Sequence, residues 1–244
     1  MTQVSKHQKE HKKSPAVFVE IYNICDDVRI LNRMVLGIVE AYFEETANMD
    51  SIKDSKRIFE ESFEKYGDDP KACLWDQKMV FRYEELTKAV DLNGASVLEI
   101  GCGIGGFYDY CIHDKGIANL NYKGIDLVEG MINLAKKKYP SAEFEVCNIL
   151  EQRLQEMYDY VVLCGVFNVA FDTNDMEKIL SQAFQYCKKA MVFNFISTYV
   201  NFKDDEISYH DPKEVFCFCA EHLSTKIKMN HHYEKCDVSL CVYR

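Results

Sequence analysis

The chain has 244 residues, 48% of them hydrophobic, and a formal net charge of −10. That length holds one full α/β domain plus an extension, and that apolar fraction excludes disorder outside the ends. The acidic balance argues against a nucleic-acid partner, which needs a basic face to offset phosphates, and no apolar run approaches a membrane span.

Eleven cysteines with no export signal in the polar start, Met1 to Lys13, predict reduced thiols and a cytoplasmic protein. Cys217 and Cys219, or His231-His232 with Cys236, do not make a four-ligand zinc set, so no metal is expected.

In chain order, residues 1–14 read as a disordered, lysine-rich tail. Residues 15–70 read as a helical extension. Ile30, Leu31, Met34, Val35, Ile38, Val39, Tyr42 and Phe43 recur at helical spacing, and Ile58, Phe59 and Phe63 mark another helix. The apolar stripe from Ile30 to Tyr42 needs a partner, either the sheet domain, over which it would act as a lid, or a second copy in a homodimer. Gly67-Asp-Asp-Pro70 breaks the pattern, and residues 71–244 form the main domain, opening with a helix around 76–90.

After residue 95, strands near 96–100, 121–126, 143–147, 158–164 and 190–196 alternate with helices near 105–115, 129–139, 173–188 and 212–222. Two late strands, near 224–230 and 237–243, leave no room for a helix between them. They must form a hairpin, so one runs antiparallel to the rest. The fold class is a Rossmann-like seven-stranded, mostly parallel sheet with helices on both faces.

Val97, Leu98 and Ile100 are strand formers that stop at Gly101, Gly103 and Gly105, ahead of a helix whose free N–H groups face the strand exits. Asp126 ends the next strand, where a carboxylate can take both ribose hydroxyls. Asp126 is also a plausible helix cap. Gly101, Gly103 and Gly106 satisfy the dinucleotide fingerprint, yet Glu99 stands where a pyrophosphate would be repelled, and a carboxylate there suits a cation. Glu99-Ile-Gly-Cys-Gly-Ile-Gly105 resembles the first motif, E/D-x-G-x-G-x-G, of the class I S-adenosylmethionine-dependent methyltransferases. The alternation of five strand–helix units followed by a hairpin agrees with that family. The resemblance covers about residues 66 to 244.

It implies S-adenosylmethionine as the cofactor and S-adenosylhomocysteine as the product. The implied cofactor residues are Glu99, Gly101, Gly103, Gly105, Asp126, Leu127, Asn148, Ile149 and Cys164. Asn148 stands where the family often has an Asp that accepts from the adenine amino group. Tyr66 to Gln77, with Arg82 after it, resembles the preamble of small bacterial methyltransferases. There Trp75 would cover the site or belong to the core, and Arg82 would pair with the methionine carboxylate or lie on a surface helix. The segment Cys164-Gly-Val-Phe-Asn168 lacks the signatures of nucleic-acid base methylases, so the acceptor is read as an O or N atom of a small molecule. The alternatives are a protein or peptide side chain, or a non-catalytic scaffold that keeps the fold. No base is assignable from sequence. His210 and Tyr199 are the candidates, and the plainer reading makes Tyr209-His210-Asp211 a solvated loop before a helix starting at Pro212.

Overall fold

The computed structural model describes residues 51–74, 80–201 and 203–244. The 1–14 tail, the stripe from Ile30 to Phe43 and Trp75 lie outside the described residues. The strands are β1 (Ser96–Ile100), β2 (Asn121–Asp126), β3 (Glu143–Val146), β4 (Tyr158–Leu163), β5 (Cys187–Ile196), β6 (Ile227–Asn230) and β7 (Asp237–Tyr243). They form one seven-stranded sheet in the order β3-β2-β1-β4-β5-β7-β6. Only β7 is reversed, antiparallel to both β5 and β6. The short link over 231–236 can only turn back, which is why the last pair is a hairpin.

The helices are α1 over 51–66, α2 (Val80–Lys88), α3 (Gly106–Asp109), α4 (Glu129–Lys138), α5 (Thr173–Gln185) and α6 (Pro212–His222). The helix expected over 105–115 is a single α turn that widens into a π turn at Tyr110–Asp114, and both Tyr110 and Cys111 are thereby buried. Alternation along the strands sorts the core into two layers. Val97, Tyr122, Tyr160 and Val162 face Leu86 of α2, Phe107 of α3 and Ile132 and Ala135 of α4. Leu98, Ile125, Val161 and Leu163 face Met176, Leu180 and Ala183 of α5 and Val215 of α6.

Helix α1 touches both sides. Ser51, the first described residue, donates its hydroxyl to Asp175 Oδ2 of α5 at 2.5 Å. Ile52 packs on the α5 layer. Phe59 and Phe63 pack with Ala72, Ile104, Val128 and Met131, at the glycine turn and the start of α4. The helix therefore runs across the exits of the strands. It belongs to one compact unit that spans Asn48–Arg244, so the division expected at residue 70 falls inside that unit.

Candidate functional site

Strand β1 pairs with β2 on one side and β4 on the other, and the chain leaves β2 and β4 for opposite faces of the sheet. Such a reversal opens a crevice at the carboxyl ends of the strands. A cavity of ≈ 230 Å³ occupies it. Its floor is Glu99, Gly101 and Gly103 from the β1 exit, Asp126 and Leu127 from β2, Asn148 and Ile149 after β3, and Cys164 and Gly165 after β4. Its roof comes from α1, through Ile52, Ser55, Lys56 and Phe59.

The glycines have separate tasks. Gly101 has φ +72, and a β-carbon there would stand 2.7 Å from Val166 Cγ2, so the β1 and β4 exits touch through it. Gly105, at φ +86, does not line the cavity. A β-carbon there would lie 2.9 Å from the Tyr139 ring, so this glycine lets α3 close onto the aromatic cluster of Tyr108, Tyr122, Tyr139 and Phe144. Its contribution to a ligand site is indirect, through packing.

Five carboxyl side chains line the cavity, from Asp68, Glu99, Asp109, Asp114 and Asp126, and two of them, Glu99 and Asp126, stand at the strand exits. Glu99 is 2% exposed and accepts a very short hydrogen bond from the Tyr122 hydroxyl. Burial pushes its pKa up to about 8, against the pull of Tyr122, because the charged form loses solvation there. Asp126 is half-buried. Its Oδ2 accepts the Gly103 N–H at 2.8 Å and its Oδ1 accepts the Val128 N–H at 2.9 Å. Burial raises its pKa as well, opposed by those backbone donors. Asp126 is thus a local cap and a cavity residue at once. A carboxylate offers about four lone-pair sites, so two remain for a ligand's hydroxyls.

Asn148 lines the cavity, but its side chain is engaged in its own turn. Oδ1 accepts the Leu150 N–H at 3.1 Å and Nδ2 donates to Glu151 at 2.9 Å. Cys164 is buried, and desolvation raises its thiol pKa. Arg82 does not line the cavity. Instead of meeting a ligand carboxylate, it is 2% exposed, and its Nε and Nη2 donate to Asp237 Oδ2 at 2.7 and 2.6 Å. A guanidinium so deeply buried requires a fixed counter-ion, and the start of β7 provides it.

Neither base candidate reaches the cavity. His210 is 1% exposed, its Nε2 lies 2.9 Å from the Phe167 carbonyl oxygen, and burial lowers its pKa. Tyr199 is 63% exposed, with its hydroxyl 3.3 Å from Asp211. Asp211 caps α6 through the Lys213 N–H, so the helix starts at Pro212 as the plainer reading has it, but the loop before it is not solvated, since His210 is buried against Phe167 and Phe195. Sequence reasoning expected a helical lid from residues 15–70 but did not name Ile52, Ser55 or Lys56 as lining residues, and it missed a polar pair, Asn194 and Asp237. Asn194 interrupts the apolar run Met191-Val-Phe-Asn-Phe195, and a polar residue inside a buried strand was the available signal. Among the described residues no cluster of three or more His, Cys, Asp or Glu could hold a metal ion.

A mostly parallel sheet with one reversed strand, a glycine turn at the switch point and an acid at the next strand exit define a nucleoside-binding Rossmann-like protein of the methyltransferase kind. Residues 97–190 match the methyltransferase domain family. A Mycobacterium tuberculosis protein named as a methyltransferase is 27% identical over 149 residues, covering 57% of this chain and 86% of that protein. The magnesium protoporphyrin IX methyltransferase of Synechocystis, solved with bound S-adenosylhomocysteine, superposes with a TM-score of 0.58 at 16% identity, over 78% of this chain and 99% of that one. The DhpI complex with S-adenosylhomocysteine gives 0.59 at 15% identity, over 79% and 96%. Residues 97–190 thus carry a methyltransferase domain, and the chain shares the fold of those S-adenosylmethionine-dependent methyltransferases.

Proposed function

We propose that the cavity binds S-adenosylmethionine and that the protein transfers its methyl group to an oxygen or nitrogen atom of a small molecule in the cytoplasm. The observation that carries the reading is the pairing of a buried carboxyl group, Glu99, with a half-buried one, Asp126, and the glycine turn between them. That set suits a ligand with vicinal hydroxyls and a cationic group, which would draw Glu99 into its ionised form. Asp126 would take the ribose hydroxyls, Leu127 and Ile149 would flank the adenine, and Glu99 would balance positive charge at the methionine end.

The cofactor supplies a methyl carbon already activated by its sulfonium. What the protein adds is alignment and exclusion of water. Ile52 and Phe59 from α1, with Val166 and Phe171 after β4, make an apolar wall over the strand exits. Such a wall favours a compact acceptor held under α1 over a residue on a folded protein.

Titration calorimetry with S-adenosylhomocysteine against NAD tests the cofactor, and tight NAD binding alone would overturn it. Incubation of a cell extract with trideuteromethyl S-adenosylmethionine tests the acceptor. Label in the low-mass fraction supports a small molecule. Label confined to protein or peptide shows that the acceptor is a side chain.

A further inference from the structure

Behind the β4 exit lies a buried polar chain that no part of the cavity description uses. Asp237, 0% exposed at the start of β7, accepts Arg82 on Oδ2. On Oδ1 it accepts Asn194 Nδ2 at 2.6 Å and the Tyr233 hydroxyl at 2.5 Å. Asn194, also 0% exposed, accepts the Gly165 N–H on its own Oδ1 at 2.8 Å. The amide orientation follows from the chemistry, because a carboxylate only accepts and a backbone N–H only donates. Four segments far apart in sequence thus meet on one peptide bond of the cavity wall.

That peptide is Cys164–Gly165. In a trans peptide unit the N–H and the preceding C=O point in opposite directions. Asn194 lies on β5, and β4 sits between β5 and β1. With the Gly165 N–H drawn toward β5, the Cys164 carbonyl is turned toward β1, over the crevice at the switch point. A carbonyl oxygen fixed there is an acceptor for a ligand's ammonium group.

We infer that Asn194, held by the Asp237–Arg82 ion pair, is a positioning residue that sets the Cys164 carbonyl to receive the ammonium of the methionine moiety. The inference rests on the cofactor reading above. It gives Arg82 a part in the site at one remove. Its guanidinium fixes Asp237 in place, Asp237 orients Asn194, and Asn194 orients the wall.

The test compares two ligands by calorimetry. S-adenosylhomocysteine carries the amino-acid end, and 5′-methylthioadenosine lacks it. Asn194→Leu removes both amide bonds at similar size. It should weaken S-adenosylhomocysteine roughly 10- to 100-fold, the loss expected for a charged hydrogen bond, and change methylthioadenosine by less than about threefold. Where the leucine form does not fold, Asn194→Asp keeps an acceptor for Gly165 but sets a carboxylate against Asp237, and should shift the ratio in the same direction. Tyr233→Phe lowers stability while leaving Asn194 in place, and should leave the ratio unchanged. Equal losses for both ligands, or no loss for either, would overturn the positioning role. A wild-type protein that binds methylthioadenosine but gains nothing from the amino-acid end would also overturn it, with the nucleoside reading intact. Binding of neither ligand would sink the cofactor reading itself.

Discussion

Replacing Asp126 by alanine separates its two tasks. The carboxylate holds the Gly103 N–H at 2.8 Å and the Val128 N–H at 2.9 Å, so it fastens the glycine turn to the start of α4. Each hydrogen bond to a charged group contributes about 1.5–3 kcal/mol, but both donors lie at the cavity floor, where water can replace part of the loss. A net cost of about 2–4 kcal/mol follows, which for a domain of this size lowers Tm by roughly 4–16 °C. The sequence by itself suggests a smaller effect, because a residue reserved for ligand should leave the free protein untouched. Affinity for S-adenosylhomocysteine should fall roughly a hundredfold or more if two ribose hydroxyls also lose their acceptor. Asp126→Asn is no safe isostere, because its amide would aim N–H groups at one of two backbone donors. Circular dichroism melts with calorimetry decide the matter. An unchanged Tm would refute the structural task. A lowered Tm with unchanged affinity would leave Asp126 as a cap alone.

The remaining predictions concern the same cavity. With its pKa pushed up to about 8 from the ordinary 4.5, Glu99 binds its proton more tightly in the folded state, so its contribution to stability falls as pH rises between those values. Melts of Glu99→Gln across pH 5 to 8 should lack that decline, and an identical pH profile would show that Glu99 is not the source. Binding of a cation beside Glu99 needs the ionised form, so S-adenosylmethionine affinity should rise with pH through about 8 in the wild type but not in Glu99→Gln. Gly101→Ala drives a β-carbon to 2.7 Å from Val166 at a left-handed φ, and should abolish S-adenosylhomocysteine binding in titration, whereas retained affinity would show that the two strand exits can separate. Phe59→Ala opens the roof and loosens the α1 contact with Met131, with an expected destabilisation of about 2–4 kcal/mol in urea melts; a change under 1 kcal/mol would mean α1 is not seated there.

Local patterns carried most of the fold. The expected strand over 121–126 and the helix over 212–222 match β2 and α6 at both ends, because each is bounded by its own punctuation: Asp126 before a new helix, Asp211-Pro212 at a helix start. The glycine turn and Asp126 were legible for the same reason. Arg82 was not. Its counter-ion lies 155 positions away, and no short-range pattern announces a pairing made by the sheet order. The α1 roof was legible as a helix from Ile58, Phe59 and Phe63, yet its role depends on Ser51 meeting Asp175, 124 positions on. Asn148 was legible as a cavity residue, but the use of its side chain was not. Its residue type suggested a ligand contact, while its own turn already employs the side chain.

The place of β7 between β5 and β6 has a consequence for how the chain matures. During synthesis β6 emerges before β7, yet among the described strands its only partner is β7, and β5 keeps one edge open until β7 enters. Ala190 pairs with Tyr243, so that edge waits through more than a helix and a strand of further synthesis. Arg82 waits longer still for Asp237, 155 positions on. Insertion of β7 therefore acts as a latch: one event seals an aggregation-prone edge, joins Arg82 to Asp237 and tensions the wall at Gly165. Nascent chains that have not reached it would be folded in outline and unready for their cofactor, and so a natural target for chaperones.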